Sequence, residues 1–108
     1  MAADRKVSVS PEDLLLIKQI LSSRVAARIF LILKDARTLN INSIAMKGGC
    51  SNGVAVRHLK NMVQLGVIKE EWVGGTHLYR YNMNGAAELL TQTIRMMKDG
   101  GEDDRKQV

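Results

Sequence analysis

Apolar residues in this chain recur at two spacings, and the change from one to the other divides it. Up to Gly66 they return every three or four residues, the period of helices packed on one side. Ser10-Pro11-Glu12-Asp13 predicts the first start. Ser10 caps, Pro11 suits the first helical position, and two acids face the positive end of the dipole. Leu14, Leu15, Leu16, Ile17, Ile20 and Leu21 then wrap more than one face. A helix apolar on two sides has two surfaces to pack against, here its own domain and a partner subunit. Ser22-Ser23 offers a second cap or a kink. A second helix over 24–35 carries Val25, Ile29, Ile32 and Leu33 as its inner stripe, with Arg24, Arg28 and Lys34 outside. Leu39 and Ile41 suit a very short strand. Asn42 then caps a short helix over 43–47, with Ile44 and Ala45 inward.

Gly48-Gly49-Cys50 is the next turn, and Ser51 opens a longer helix over about 51–65. Its inward stripe is Ala55, Leu59, Met62 and Gly66, and Gly66 is its stop. Asn52, Arg57, Lys60, Asn61 and Gln64 supply polar groups, several pointing the other way. Short helix, glycine-containing turn and longer helix form the helix-turn-helix pattern. Beyond Gly66 the period shortens toward two. Residues 67–73 and 76–81 are β-prone and joined by Gly74-Gly75, whose two positions both tolerate positive φ, so a hairpin is predicted over about 67–82. That turn sets Trp72 opposite His77, Glu70 opposite Tyr79 and Ile68 opposite Tyr81. Asn82 or Asn84 caps a final helix over about 85–98, with Ala86, Ala87, Leu90, Ile94 and Met97 on one side and Leu89 and Met96 widening it. The fold class expected is mainly α with one small β-hairpin.

Composition narrows the class. A chain of 108 residues makes one domain, read as a flexible arm over 1–9, a folded unit over 10–98 and a flexible charged tail over 99–108. No apolar run reaches the roughly 18 residues that cross a bilayer, and no leader pattern opens the chain, so a cytoplasmic protein without a membrane partner is expected. The single Cys50 excludes an internal disulfide, and with only His58 and His77 as histidines it supports no zinc framework. The formal net charge is +5, but Asp99, Glu102, Asp103 and Asp104 outweigh Arg105 and Lys106. Removing that tail leaves the body at +7, which suits an anionic partner such as nucleic acid.

Four stretches in this order resemble the winged helix-turn-helix transcriptional regulators, most of all their ArsR-like branch. Residues 21–30, Leu-Ser-Ser-Arg-Val-Ala-Ala-Arg-Ile-Phe, resemble the first shared helix. Ser51 to Leu59 resembles the capped recognition helix, and Arg57-His58-Leu59-Lys60 its Arg-His-Leu-Lys run. Leu65-Gly66-Val67-Ile68 resembles the passage into the wing, and Gly75-Thr76-His77-Leu78-Tyr79-Arg80-Tyr81 the wing's return strand. The resemblance covers roughly residues 21–98. It implies a winged helix-turn-helix domain with extra N- and C-terminal helices and, as partners, double-stranded DNA and a second copy of the chain. The paired cysteines of the metal-sensing members are missing, so no metal and no other cofactor is expected. The usual basic wing tip is replaced by Gly74-Gly75-Thr76-His77, beside the acidic Glu70-Glu71.

Asn52, Gly53, Val54 and Arg57 are the expected base readers. Asn pairs with adenine and Arg with guanine, Gly permits close approach, and Val54 divides between a thymine methyl and the core. Ser51, Lys60 and Asn61 are expected on phosphates, with Lys47, Lys69 and Arg80 placed there by position. His58 is a candidate phosphate contact tuned by protonation, and Thr76 and His77 are the wing-tip positions. Trp72, Tyr79 and Tyr81 are read as hairpin core rather than a base-stacking platform. The dimer interface is expected from Leu14, Leu15, Ile17 and Leu21 on the first helix and Ala87, Leu90, Ile94 and Met97 on the last. There are no clustered carboxylates, no Ser–His–Asp candidate set and no phosphate-binding glycine loop, so no catalytic residues are assigned. The competing function is a winged-helix protein-interaction module that does not bind DNA.

Overall fold

The computed structural model describes residues 9–98 with their side chains and the helical backbone onward to Gln107. Apart from Val9, the arm expected over 1–9 lies outside the described residues. In chain order the elements are α1 (Pro11–Leu21), α2 (Arg24–Ala36), β1 (Thr38–Asn40), α3 (Ile41–Gly48), α4 (Asn52–Leu65), β2 (Ile68–Val73), β3 (Thr76–Tyr81) and α5 (Gly85–Gln107).

Local chemistry sets most of the boundaries. Ser10, Ser23, Asn40 and Ser51 each accept a backbone N–H three residues on, and such a cap contributes about 1 kcal/mol. Asn84 does the same for α5, accepting from the Ala87 N–H at 2.7 Å. The short helix starts earlier than its sequence suggests, because Asn40 rather than Asn42 is its cap. Asn40 ends β1, whose pairing with β3 holds it extended, and an extended backbone is what a capping residue needs. The strand is therefore Thr38–Asn40, and Ile41 belongs to α3.

The sheet order is β1-β3-β2, antiparallel throughout. The β2–β3 register pairs Trp72 with His77, Glu70 with Tyr79 and Ile68 with Tyr81, as the two-residue turn requires. Gly74 and Gly75 both have positive φ, 56° and 84°, the backbone of a type I′ turn. β1 adds a third strand by pairing Leu39 with Tyr79. Between α2 and β1 the chain turns through Arg37, at φ 78° and ψ −50°, a strained region for a residue with a side chain. The Arg37 carbonyl accepts the Tyr81 N–H at 2.8 Å, and its guanidinium lies 5.7 Å from the Tyr81 ring centre, so tertiary contacts hold the strain in place.

The core gathers Ile20, Ile29, Phe30, Leu33, Ile44, Leu59, Met62, Val67, Ile68 and Leu90 between the helices and one face of the sheet. Two positions of the α2 stripe differ from expectation. Ala26 and Phe30 are fully buried, while Val25 and Ile32 are half-buried. The β3 strand packs on α2, and Phe30 meets the Tyr81 ring edge-on at 5.9 Å, so the helix is rotated to present that row. The final helix runs to Gln107, nine residues past the end expected near Lys98. Gly100-Gly101 does not stop it. A helical glycine costs about 1 kcal/mol relative to alanine, and the good helix formers around the pair offset that. The flexible tail over 99–107 is thereby corrected to helical backbone.

Gly66 joins three elements. It ends α4 at φ 85°, and its carbonyl accepts from Asn82 Nδ2 at 2.7 Å and Asn84 Nδ2 at 3.1 Å. A Cβ added there would sit 3.3 Å from Asn84 Nδ2. Gly66→Val combines a left-handed β-branched residue with displacement of the amide that also caps α5. The expected loss is about 2 kcal/mol or more, read as a lowered urea midpoint at unchanged slope. Stability within about 0.5 kcal/mol of the parent would remove this junction from the account.

Candidate nucleic-acid interface

α3, the turn at residues 49–51 and α4 form a continuous helix-turn-helix, held from behind by α2. Gly48 is buried, and a Cβ there would lie 3.1 Å from Ile29 Cγ1, so the turn is pressed against α2. Arg28 Nη1 donates to the Gly48 carbonyl at 3.2 Å. Arg28 was expected simply outside. Its reach across to the turn could not be read from spacing, because the two residues are 20 apart in sequence.

α4 is anchored along one side by Ala55, Leu59, Met62 and Leu65, all buried. The Ser51 hydroxyl accepts the Val54 N–H at 3.2 Å. Ser51, Asn52, Gly53, Arg57, Lys60 and Gln64 are exposed, and Val54, His58 and Asn61 are half-buried. The helix therefore offers an amide, a glycine and a guanidinium over its first two turns, with Lys60 a turn further on. His58 is held below the ordinary histidine range, first by partial burial and then by the neighbouring Arg57 charge. Both effects disfavour the protonated, cationic form of the imidazole.

Asn42, read from sequence as a cap, has a different place. It lies exposed on the first turn of α3, and its Oδ1 accepts a bond from Asn52 Nδ2 at 2.7 Å. The two helix starts are linked side chain to side chain. The only sequence signal was an asparagine at the start of each helix.

The wing differs from expectation at Trp72. Tyr79 and Tyr81 are buried, but Trp72 is 69% exposed, with Val73 exposed beside it. Both ends of this sheet face carry aromatic rings, yet only the end at Ile68 and Tyr81 lies over the helices. The hairpin continues past the core and takes Trp72 with it. Trp72 stacks on His77 at 4.6 Å and 9°, and His77 leans on Tyr79 at 4.7 Å. His77 Nε2 is buried without a hydrogen bond among the described residues. The nearest carboxylate, Glu70 Oε2, is 3.6 Å away, beyond hydrogen-bond reach. Burial, and secondly the Glu70 charge, push the Tyr79 phenol above its usual range. Glu71 is paired with Arg80 at 3.1 Å, so this arginine is partly occupied within the hairpin. Lys47, Lys69 and Thr76 are exposed.

The expected dimer residues divide. Ile17, Ala87, Leu90 and Ile94 lie in the chain's own core, which removes them from a contact surface. α5 packs on α1, and that pairing within one chain buries them. Leu14 (53%), Leu15 (57%) and Met97 (55%) remain exposed, and Leu21 is half-buried.

Helix-turn-helix, hairpin wing and flanking helices together define the winged helix-turn-helix fold. No protein-family model and no curated protein matches the sequence. Solved structures match it closely in shape. The homodimeric winged helix-turn-helix DNA-binding domain of Mb0332 from Mycobacterium bovis, a possible ArsR-family transcriptional regulator, superposes at TM-score 0.69. Its identity is 16%, over 84% of this chain and 83% of that one. The antimony-specific transcriptional repressor AntR gives 0.66 at 11% identity, over 91% of both chains. Sso10a-2, a DNA-binding protein from Sulfolobus solfataricus, gives 0.59 at 16% identity, over 78% of this chain and 90% of that one.

Proposed function

We propose that this chain is a sequence-specific DNA-binding transcriptional regulator that acts as a homodimer by occupying its operator. The observation that carries this reading is the division of α4. One side is locked into the core by Ala55, Leu59 and Met62. Asn52, Gly53, Arg57 and Lys60 are exposed, with base-reading types in the first two turns. Similarity of fold to DNA-binding regulators supports it, though fold alone does not specify function. Asn52, Val54 and Arg57 read base edges. Ser51, Lys60, Asn61, Lys47 and Lys69 hold phosphates and set the register.

Pairing of two copies rests on the exposed apolar side chains of α1 and on the C-terminal half of α5. Leu14 and Leu15 lie on α1, and Met96 and Met97 on α5 just beyond the last core residue, Ile94. Covering these would place two α4 helices in successive major grooves, about 34–36 Å apart.

Selection of bound sequences from a random duplex pool, followed by Arg57→Ala, tests the reading. The substitution is expected to cost about 1–3 kcal/mol and to relax the preference at one base position in each half-site. Unchanged affinity and preference would remove Arg57 from the reading set. The exposed Trp72 and Val73 favour a second reading, a protein-interaction module whose contact is the wing. Folded protein that retards no duplex at low salt would select that module.

A further inference from the structure

We infer that Asn42 is a positioning residue for base recognition: its bond to Asn52 sets the Asn52 amide to read adenine. The inference rests on the proposed DNA-binding function and adds to it a residue and a base. The observation is the 2.7 Å bond from Asn52 Nδ2 to Asn42 Oδ1, between two exposed side chains on two different helices. In water such a bond replaces two amide–water bonds and adds little to stability. Its consequence is orientational.

The terminal torsion of an asparagine is broad, so a free Asn52 presents its oxygen or its nitrogen to a partner with little preference. The bond to Asn42 biases that choice toward one orientation. Asn52 Nδ2 carries two hydrogens, and Asn42 takes one. With Asn42 holding the hydrogen that points away from Oδ1, the second N–H and the Oδ1 acceptor stay side by side on one amide edge. In the major groove adenine offers the complement, the N7 acceptor and the N6 donor. No other base presents that pair in that order, so an amide biased toward that orientation distinguishes adenine from the rest.

The backbones on both sides are held. Asn40 caps α3 two residues before Asn42, and Ser51 caps α4 one residue before Asn52. Asn52 is the first residue of α4, at the end of a recognition helix that meets base edges. Both hydrogens of Asn42 Nδ2 are uncommitted among the described residues, which leaves Asn42 free to add a phosphate or base contact without releasing Asn52.

The test uses the intact protein and the duplex that it selects from a random pool. The position read by Asn52 is the one at which Asn52→Ala loses its base preference. The parent is expected to favour adenine there by about ten-fold or more. Asn42→Ala should lower that preference by about three-fold, the loss when only about a third of amide orientations stay competent. It should leave the preference that depends on Arg57 unchanged. Asn42→Asp keeps the acceptor and should restore the adenine preference, while its charge weakens binding to every sequence alike. Combining Asn42→Ala with Asn52→Ala should reduce the preference no further than Asn52→Ala alone. Thermal melting of each variant should stay near the parent's, since both side chains are exposed. Two results overturn the inference while leaving DNA binding intact: an unchanged adenine preference in Asn42→Ala, or an equal loss at every position. A parent protein that retains no duplex from the pool overturns the DNA-binding reading itself.

Discussion

Raising the salt from about 50 to about 200 mM is expected to weaken binding to duplex DNA by about a thousand-fold. Lys47, Lys60 and Lys69 are exposed, and none is consumed by an ion pair among the described residues. Two copies of the chain would then meet about six phosphates, each releasing a condensed counterion, for a logarithmic slope near −5. Arg80 adds less, because Glu71 holds it at 3.1 Å. Fluorescence anisotropy of labelled duplex across a salt series gives the slope directly. A slope near half that value would fit a single copy on the DNA. Binding that ignores salt would sink the phosphate assignment. Lys60→Ala should flatten the slope by about two units in a dimer, one for each copy.

Phe30→Ala is the substitution with the largest expected effect on folding, a loss of about 3–5 kcal/mol. Its ring is fully buried at the meeting of α2 with the sheet, edge-on to Tyr81. Removing it leaves a cavity and withdraws the support of the β3 end, on which the wing depends. A small domain has about 5–15 kcal/mol in total, so much of the population would unfold near body temperature. Phe30→Leu fills most of the space and should cost markedly less. Urea unfolding followed by circular dichroism measures both. A loss under about 1 kcal/mol for the alanine variant would mean that the site collapses around the gap, and that the Phe30–Tyr81 contact does not hold the sheet to α2.

The parts of the fold that were legible from residues were those governed by nearest neighbours. Ser51 and Gly66 bound α4 because a cap and a left-handed stop act within one turn. Gly74-Gly75 set the hairpin register because a two-residue turn leaves one pairing. Ala55, Leu59 and Met62 in the buried row of α4 followed from helical period, while the fourth buried position is Leu65 rather than Gly66. Where two similar signals lay close together, local reasoning failed. Asn40 and Asn42 are both capping types, and only the pairing of β1 with β3 selects Asn40. The final helix is expected to end near Lys98, yet it passes on through Gly100-Gly101.

The candidate interface divides in the same way. The exposure of Asn52, Gly53, Arg57 and Lys60 was readable, since it is the complement of an apolar stripe. The exposure of Trp72 was not. Whether an aromatic residue on a hairpin is core or tip depends on how far the sheet extends past the helices, and strand alternation carries no such length. Ala87 and Leu90 fit a partner contact on sequence alone because an amphipathic helix does not state which neighbour covers it; α1 of the same chain packs on α5 and buries them.

By itself, the sequence determined the order of the helices and the hairpin, α4 with its polar face, and the hairpin register. Each depends on period, caps or glycine conformation, all of which act over a few residues. Only the tertiary structure decided the bounds and pairing of the third strand, the rotation of α2 toward Phe30, the exposure of Trp72, the grip of Arg28 on the turn, and the bond that joins Asn42 to Asn52. Those contacts bring together residues from 10 positions apart, Asn42 with Asn52, to 51, Phe30 with Tyr81. Their partners are chosen by the packing of the whole domain.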